Sequence, residues 1–260
     1  MPTENYRSLL RLLHRDNDLV AIDKPAGLLV HATALDAHEN VTAVTLLQQQ
    51  LGEKLAPVHR LDKGTSGVLL FARHAEAARQ CGLAFERSEV RKRYLALVRG
   101  WPPPDGVIEQ ALARDPELPS TGQPQLEAVT RFRTLACFEW PFRVDARHAT
   151  SRYALVLAEP VTGRRHQIRR HFKHIAHPLV GDATHGKGHH NRAVAQWLGF
   201  NRLWLHALRL ELPMQHEPLV LTADCGPEWA PLLDPSSSCE RWQGVPAQDQ
   251  VHMALQRTAV

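Results

Sequence analysis

No run of about 18 consecutive apolar residues occurs in this chain, so it offers no segment able to cross a bilayer as a helix. The N-terminus has Glu4, Arg7, Arg11 and Arg15 spread through it and lacks the apolar core of a signal peptide, so a cytoplasmic protein is expected. Cysteine is scarce. Cys81, Cys137, Cys225 and Cys239 lie far apart and form no metal-type or redox-type pair, which excludes a zinc ribbon or a disulfide scaffold and leaves reduced thiols. Internal repeats and low-complexity blocks are absent as well. There is little excess charge of either sign: 31 Lys and Arg against 27 Asp and Glu give a net charge of +4, and that average says little about partners.

At 260 residues and 43% hydrophobic content the chain can form one large domain or two small ones, with a substantial core. The distribution of charge says more than its sum. Arg164, Arg165, Arg169, Arg170, His171, Lys173 and His174 fall in one short stretch, and Arg87, Arg91, Lys92 and Arg93 form a second cluster. Each can be a solvated helix face, or the electrostatic footprint of a surface that holds a phosphate backbone.

Apolar and β-branched content predicts strands at Leu19 to Ile22 and Leu28 to His31, joined into a hairpin by the turn Lys24-Pro25-Ala26-Gly27. Asn40 is a good cap for a helix over Val41 to Leu51, which Gly52 ends. A strand Val68 to Arg73, a helix Ala75 to Arg87 and a strand Lys92 to Arg99 follow. Strands resume at Val107 to Ala113, Leu126 to Cys137 and Arg152 to Ala158, with Asp115 to Pro124 as a loop. Gly163 to Ala176 is predicted as a helix capped by Thr162 and docked by Ile168, Phe172 and Ile175. Strands Trp204 to Leu212 and Leu219 to Thr222 and a short helix Glu228 to Leu233 close the fold, and residues 234–260 read as a tail. Consecutive strands outnumber helices, which argues for an α+β fold with a largely antiparallel mixed β-sheet flanked by helices.

The segment His59-Arg60-Leu61-Asp62-Lys63-Gly64-Thr65-Ser66-Gly67-Val68-Leu69-Leu70 places one carboxylate between cations just before an apolar run. Asp62 therefore sits in a loop anchored by the strand that follows. Its neighbours Arg60 and Lys63 favour the ionised form, which can act as nucleophile or base. A turn aspartate in a surface ion pair is the plain structural alternative.

This segment resembles the signature of the RluA family of pseudouridine synthases, and two further motifs stand in the family's order. Leu19-Val20-Ala21-Ile22-Asp23-Lys24-Pro25-Ala26-Gly27 resembles its opening, and Thr162-Gly163-Arg164-Arg165-His166-Gln167-Ile168-Arg169 with His177-Pro178-Leu179-Val180-Gly181-Asp182 its third motif. The resemblance implies a catalytic domain over 16–233, after an extension 1–15 too short for an N-terminal S4 domain. It implies that Asp62 is the essential carboxylate, that Tyr94 is the active-site aromatic, and that Arg169 pairs with the catalytic carboxylate. It makes Arg60 the side chain that fills the space of an extruded base, and Lys63, Arg164, Arg165, Arg170 and Lys173 contacts to RNA. No cofactor or metal is implied. Arg169-Arg170-His171, His185-Gly186 and Asn191-Arg192 resemble the branch that modifies uridine 65 in the T stem of tRNA, and a monomer is expected. Ribosomal RNA is the alternative substrate.

Two readings from other classes compete. His171, His174, His177, Asp182, His185, His189 and His190 are possible metal ligands, but on a helix i, i+3, i+6 spacing turns the outer pair about 120° apart. A non-catalytic RNA-binding protein or RNA chaperone would not need Asp62. Asp115 to Gln125 and Gly186 to Arg192 are the loops expected to choose the substrate.

Overall fold

The structure, a computed structural model, describes residues 9–32 and 41–233, so the expectations for Asn40 and for 234–260 lie outside the described residues. In chain order the strands are β1 (Leu12–Arg15), β2 (Leu19–Lys24), β3 (Ala56–Pro57), β4 (Ser66–Ala72), β5 (Arg91–Arg99), β6 (Asp105–Glu109), β7 (Leu112–Ala113), β8 (Gln125–Leu126), β9 (Val129–Trp140), β10 (Ser151–Pro160), β11 (Leu205–Leu212) and β12 (Leu219–Thr222). The helices are α1 (Ala43–Leu51), α2 (Ala75–Glu86), α3 (Gln167–His174), α4 (Gly188–Leu198) and α5 (Ala230–Leu233). The α+β class and the antiparallel pairing follow the sequence expectation. The chain divides into two compact units, one holding the described residues up to Arg91 with Ala207–Asp224, the other Lys92–His206 with the described residues from Cys225.

In the first unit the strand order is β1-β2-β4-β11-β12. All of β4 and nearly all of β2 are buried, because a strand covered on both faces is apolar throughout rather than alternating. Leu28 to His31 do not form the predicted strand, since β2 already has β1 on one side and β4 on the other. Leu28, Leu29 and Val30 are instead buried as a plug. The carbonyls of Leu29 and Val30 accept from the N–H groups of Ala43 (2.8 Å) and Val44 (3.1 Å), satisfying the first donors of α1. Thr42 caps that helix: its Oγ1 accepts from Thr45 N (3.1 Å) while Thr45 Oγ1 accepts from Thr42 N (2.9 Å). Leu12 to Arg15, read from sequence as extension, pair with β2 as a strand.

Gly67 has φ +106°, and a Cβ there would lie 2.3 Å from the carbonyl oxygen of Ala207. Gly67→Ala should therefore destabilise the protein by about 3 kcal/mol or more, by strain plus collision with backbone that cannot retreat. A urea midpoint shift worth less than about 1 kcal/mol would contradict that close approach.

The second unit is built on the order β5-β10-β9-β6. Ala96, Val98, Ala154, Val156, Phe132 and Cys137 form one face of the core, and Ile168 and Phe172 of α3 dock on it as their spacing predicts. Helix α3 begins later than expected. His166 adopts the left-handed conformation (φ 54°) and stops the helix from extending back to Gly163. Thr162 does not cap α3, because its hydroxyl donates to Gln167 Oε1 (2.7 Å) and accepts from Val129 N (3.1 Å). Gly186 to Arg192, read as a loop, lies largely in α4.

Candidate active site

Three hydrogen bonds fasten the loop that carries Asp62. Lys63 O accepts from Gly27 N (2.8 Å) and from Lys24 Nζ (3.2 Å), and Thr65 N donates to Asp62 O (3.0 Å). Lys24 is fully buried and also donates to Pro25 O and Leu28 O, both at 2.8 Å. An ammonium with three donors matched to three carbonyls is a fixed strut. Farther along, His59 stacks on Phe85 and its Nε2 accepts from Leu70 N (3.1 Å), so the loop is held at both ends. Asp62 is half-buried, with Arg60 and Lys63 exposed beside it.

In the second unit Arg169 and Asp182 form a buried bidentate pair, Nε to Oδ2 at 2.7 Å and Nη2 to Oδ1 at 2.8 Å. Burial alone would raise the Asp182 pKa, but the hydrogen bonds and charge of Arg169 override it and hold the carboxyl below its ordinary value. Asp182 Oδ1 also accepts from Thr184 N and His185 N, and its carbonyl accepts from Asn191 Nδ2 (3.0 Å). His185 is pushed down to about 4 by burial, against the opposing pull of Asp182, and its Nε2 lies 3.1 Å from His166 Nδ1. Gln167 binds Val129 O, Thr130 Oγ1 and Thr162 Oγ1, pinning the start of α3 to β9.

Tyr94 is half-buried on β5 and packs against the core that also takes Ile168 and Phe172, so it shares a framework with α3. The basic helix is differently employed from the expectation of a bare phosphate-binding surface. Arg164 Nε donates to Glu127 O (2.9 Å), Arg170 Nη1 to Ala113 O (2.8 Å), and Arg165 pairs with Asp115 (3.3 Å) and Glu117. Together these three arginines hold the arm formed by β7, β8 and their connecting loop, while Lys173 is exposed. The second basic cluster divides, with Arg87 and Arg91 exposed and the other two drawn inward. Arg93 is buried against Glu159 (2.9 Å), and burial lowers Lys92 to about 8. His171 bonds Thr130 Oγ1 and Gln110 O, and His177 bonds Arg99 O. Among the described residues no group of three His, Cys, Asp or Glu side chains is placed to hold a metal ion.

The sequence profile of RNA pseudouridylate synthase matches residues 18–174. The chain belongs to this family. The synthase is 40% identical to a Yersinia pestis protein named tRNA pseudouridine synthase C, over 95% of this chain and 97% of the relative. It is 42% identical to a Haemophilus ducreyi protein of the same name, over 86% and 95%. Among solved structures it resembles human RNA pseudouridylate synthase domain containing 1, with TM-score 0.72, 25% identity and coverage of 96% and 95%. The human domain containing 4 gives TM-score 0.62 and 26% identity over 84% and 89%. This chain is thus an RNA pseudouridine synthase, and no helix among its described residues is long and apolar enough to cross a membrane.

Lys24 and the partners of Arg169 escape a reading that looks for reactive groups. A lysine followed by proline directly after an apolar strand hints at the first. Asp182 carries a plainer signal, as the sole carboxylate between Glu159 and Glu211.

Proposed function

We propose that this synthase converts uridine 65 in the T stem of tRNA to pseudouridine, with Asp62 as its essential carboxylate. The single observation that carries the reading is the Asp62 loop, pinned by Lys24 and Gly27 through Lys63 O, in a chain whose relatives along nearly its full length are named tRNA pseudouridine synthase C. In the isomerisation the bond from N1 of uracil to C1′ of ribose breaks, the base turns, and C5 bonds to C1′. The hydrogen on C5 leaves to solvent and N1 gains one, so no redox partner is required. Asp62 acts on the sugar, on the ring or on a ribose proton. Tyr94 supplies the aromatic face for the extruded uracil and Arg169 the guanidinium of the reaction. A stem uridine must leave its stack at a cost of a few kcal/mol, and Arg60 fills the gap. Lys63 and Lys173 contact the RNA backbone directly, Arg164, Arg165 and Arg170 support RNA binding through the arm they hold, and the protein works as a cytoplasmic monomer.

The test is release of tritium from tRNA transcripts labelled at C5 of uridine. Release dependent on Asp62 is expected, and its absence would overturn the reading. Arg165→Ala should loosen the arm that Arg165 holds through Asp115 and Glu117 and so raise the KM for tRNA several-fold, with kcat retained. A collapse of kcat would instead assign Arg165 to the chemistry.

A further inference from the structure

Between Glu159 and Glu211 the only carboxylate is Asp182, and it is buried against Arg169, so the surface of this stretch carries no acid. Helix α4 belongs to that stretch and presents Lys187, His189 and Arg192 to solvent. The loop between β9 and β10 lies against it. Phe142 of the loop packs on Trp197 of α4 (5.5 Å between rings), Trp140 stands 6.3 Å from Trp197, and the Tyr153 hydroxyl lies 2.8 Å from His190 Nδ1.

The loop is internally built rather than slack. Ser151 Oγ donates to Phe142 O (2.9 Å), Arg143 Nε to Asp145 O (2.9 Å), and Asp145 Oδ1 accepts from Arg147 N (2.8 Å) and His148 N (3.0 Å). Asp145 is its one acid, and the His148 ring lies beside that carboxylate. Arg147 is exposed, and Arg152 at the start of β10 stacks over Trp101 at 4.1 Å and pairs with Glu139 (3.4 Å). Loop and helix therefore form one aromatic-backed surface with cations on its outer side. Between His190 and Arg192, Asn191 ties the helix to Gly181 N (2.9 Å) and Asp182 O (3.0 Å), next to the carboxylate that holds Arg169.

We propose that this surface, centred on Arg147 and Arg192, is a second RNA contact that binds the phosphate backbone of the substrate outside the stem carrying the target uridine. Its chemistry is sequence-independent: exposed guanidinium groups on a loop and a helix that aromatic rings pack together, with Asp145 the one acid of the loop. The link through Asn191 places RNA bound there on the same helix that braces Asp182. The inference rests on the reading that the substrate is a structured RNA.

The test is Arg147→Glu with Arg192→Glu, measured on full-length tRNA across a salt series. The expected result is a KM raised about tenfold at moderate salt and a slope of log K against log salt smaller by about 1.5 to 2. Arg147→Lys with Arg192→Lys, which keeps the charge, should stay within about threefold of wild type. In addition, hydroxyl-radical protection by the wild-type protein should extend beyond the target stem, and the reversed pair should lose only that part. An unchanged KM and slope in the reversed pair, or a lysine pair as impaired as the glutamate pair, would overturn the proposal. A wild type that binds no tRNA would overturn it together with the reading beneath it, whereas normal wild-type binding with an indifferent reversed pair defeats this proposal alone.

Discussion

Replacing Asp62 by Asn should abolish pseudouridine formation, with turnover falling by about 10⁴-fold or more, while tRNA affinity stays within about threefold of wild type. The loss is expected to be that large because the loop carries no second carboxylate to share the work. Affinity survives because the phosphate contacts are assigned to cations, and an amide of the same shape removes none of them. The loop itself should survive too, since it is held through backbone carbonyls: Lys63 O by Lys24 and Gly27, and Asp62 O by Thr65 N. Single-turnover kinetics with filter binding on the same preparation separates the two effects. Turnover within tenfold of wild type would remove Asp62 from the chemistry.

Asp182→Asn should cost about 3 to 5 kcal/mol of stability and lower activity by about a hundredfold. The variant keeps the shape of the side chain but takes away the negative charge from a buried guanidinium held at 2.7 and 2.8 Å. An Arg169 that shifts by even a fraction of an ångström then no longer presents its charge where the proposed chemistry would use it. Acid should act in the same direction as the substitution. His185 has its pKa depressed from 6.5 to about 4, chiefly by burial, so it binds a proton more readily unfolded than folded. Its contribution is complete above about pH 6.5 and is lost as pH falls toward 4, on the order of 3 kcal/mol in all. Asp182, also depressed, contributes above its unfolded pKa of about 4 and loses that contribution as pH falls below. Urea unfolding of wild type between pH 7 and 4 should show a falling midpoint, and Asp182→Asn should start lower at pH 7. An unchanged midpoint for the variant at neutral pH would contradict the role given to the pair.

Much of the fold was legible because one-dimensional signals suffice for it. Val68 to Ala72 is an unbroken apolar run, and it lies in a strand buried on every residue; Ala75 to Glu86 keeps a helical stripe and forms a helix. Errors fell where tertiary partners decide. Leu28 to Val30 have the composition of a strand, but β2 had no edge left for them. Helix α4 starts at Gly188 and runs through two histidines and an asparagine, residues of modest helix propensity, and it is secured by Phe142, Tyr153 and Asn191 contacts that no local window contains. For the candidate site, the loop around Asp62 stood out because its motif is contiguous. The engagement of Arg165 by Asp115 and Glu117 was not, since about fifty positions separate them and charge patterning alone cannot distinguish a guanidinium that holds an arm from one that awaits a phosphate.

The most direct test of the account is carbodiimide modification followed by primer extension on tRNA and ribosomal RNA transcripts treated with the wild-type protein. The account predicts one new stop, reporting pseudouridine at position 65 of tRNA, that is missing when Asp62→Ala protein is used. A stop confined to ribosomal RNA would contradict the assigned substrate, and no Asp62-dependent stop in either RNA would contradict the chemistry itself.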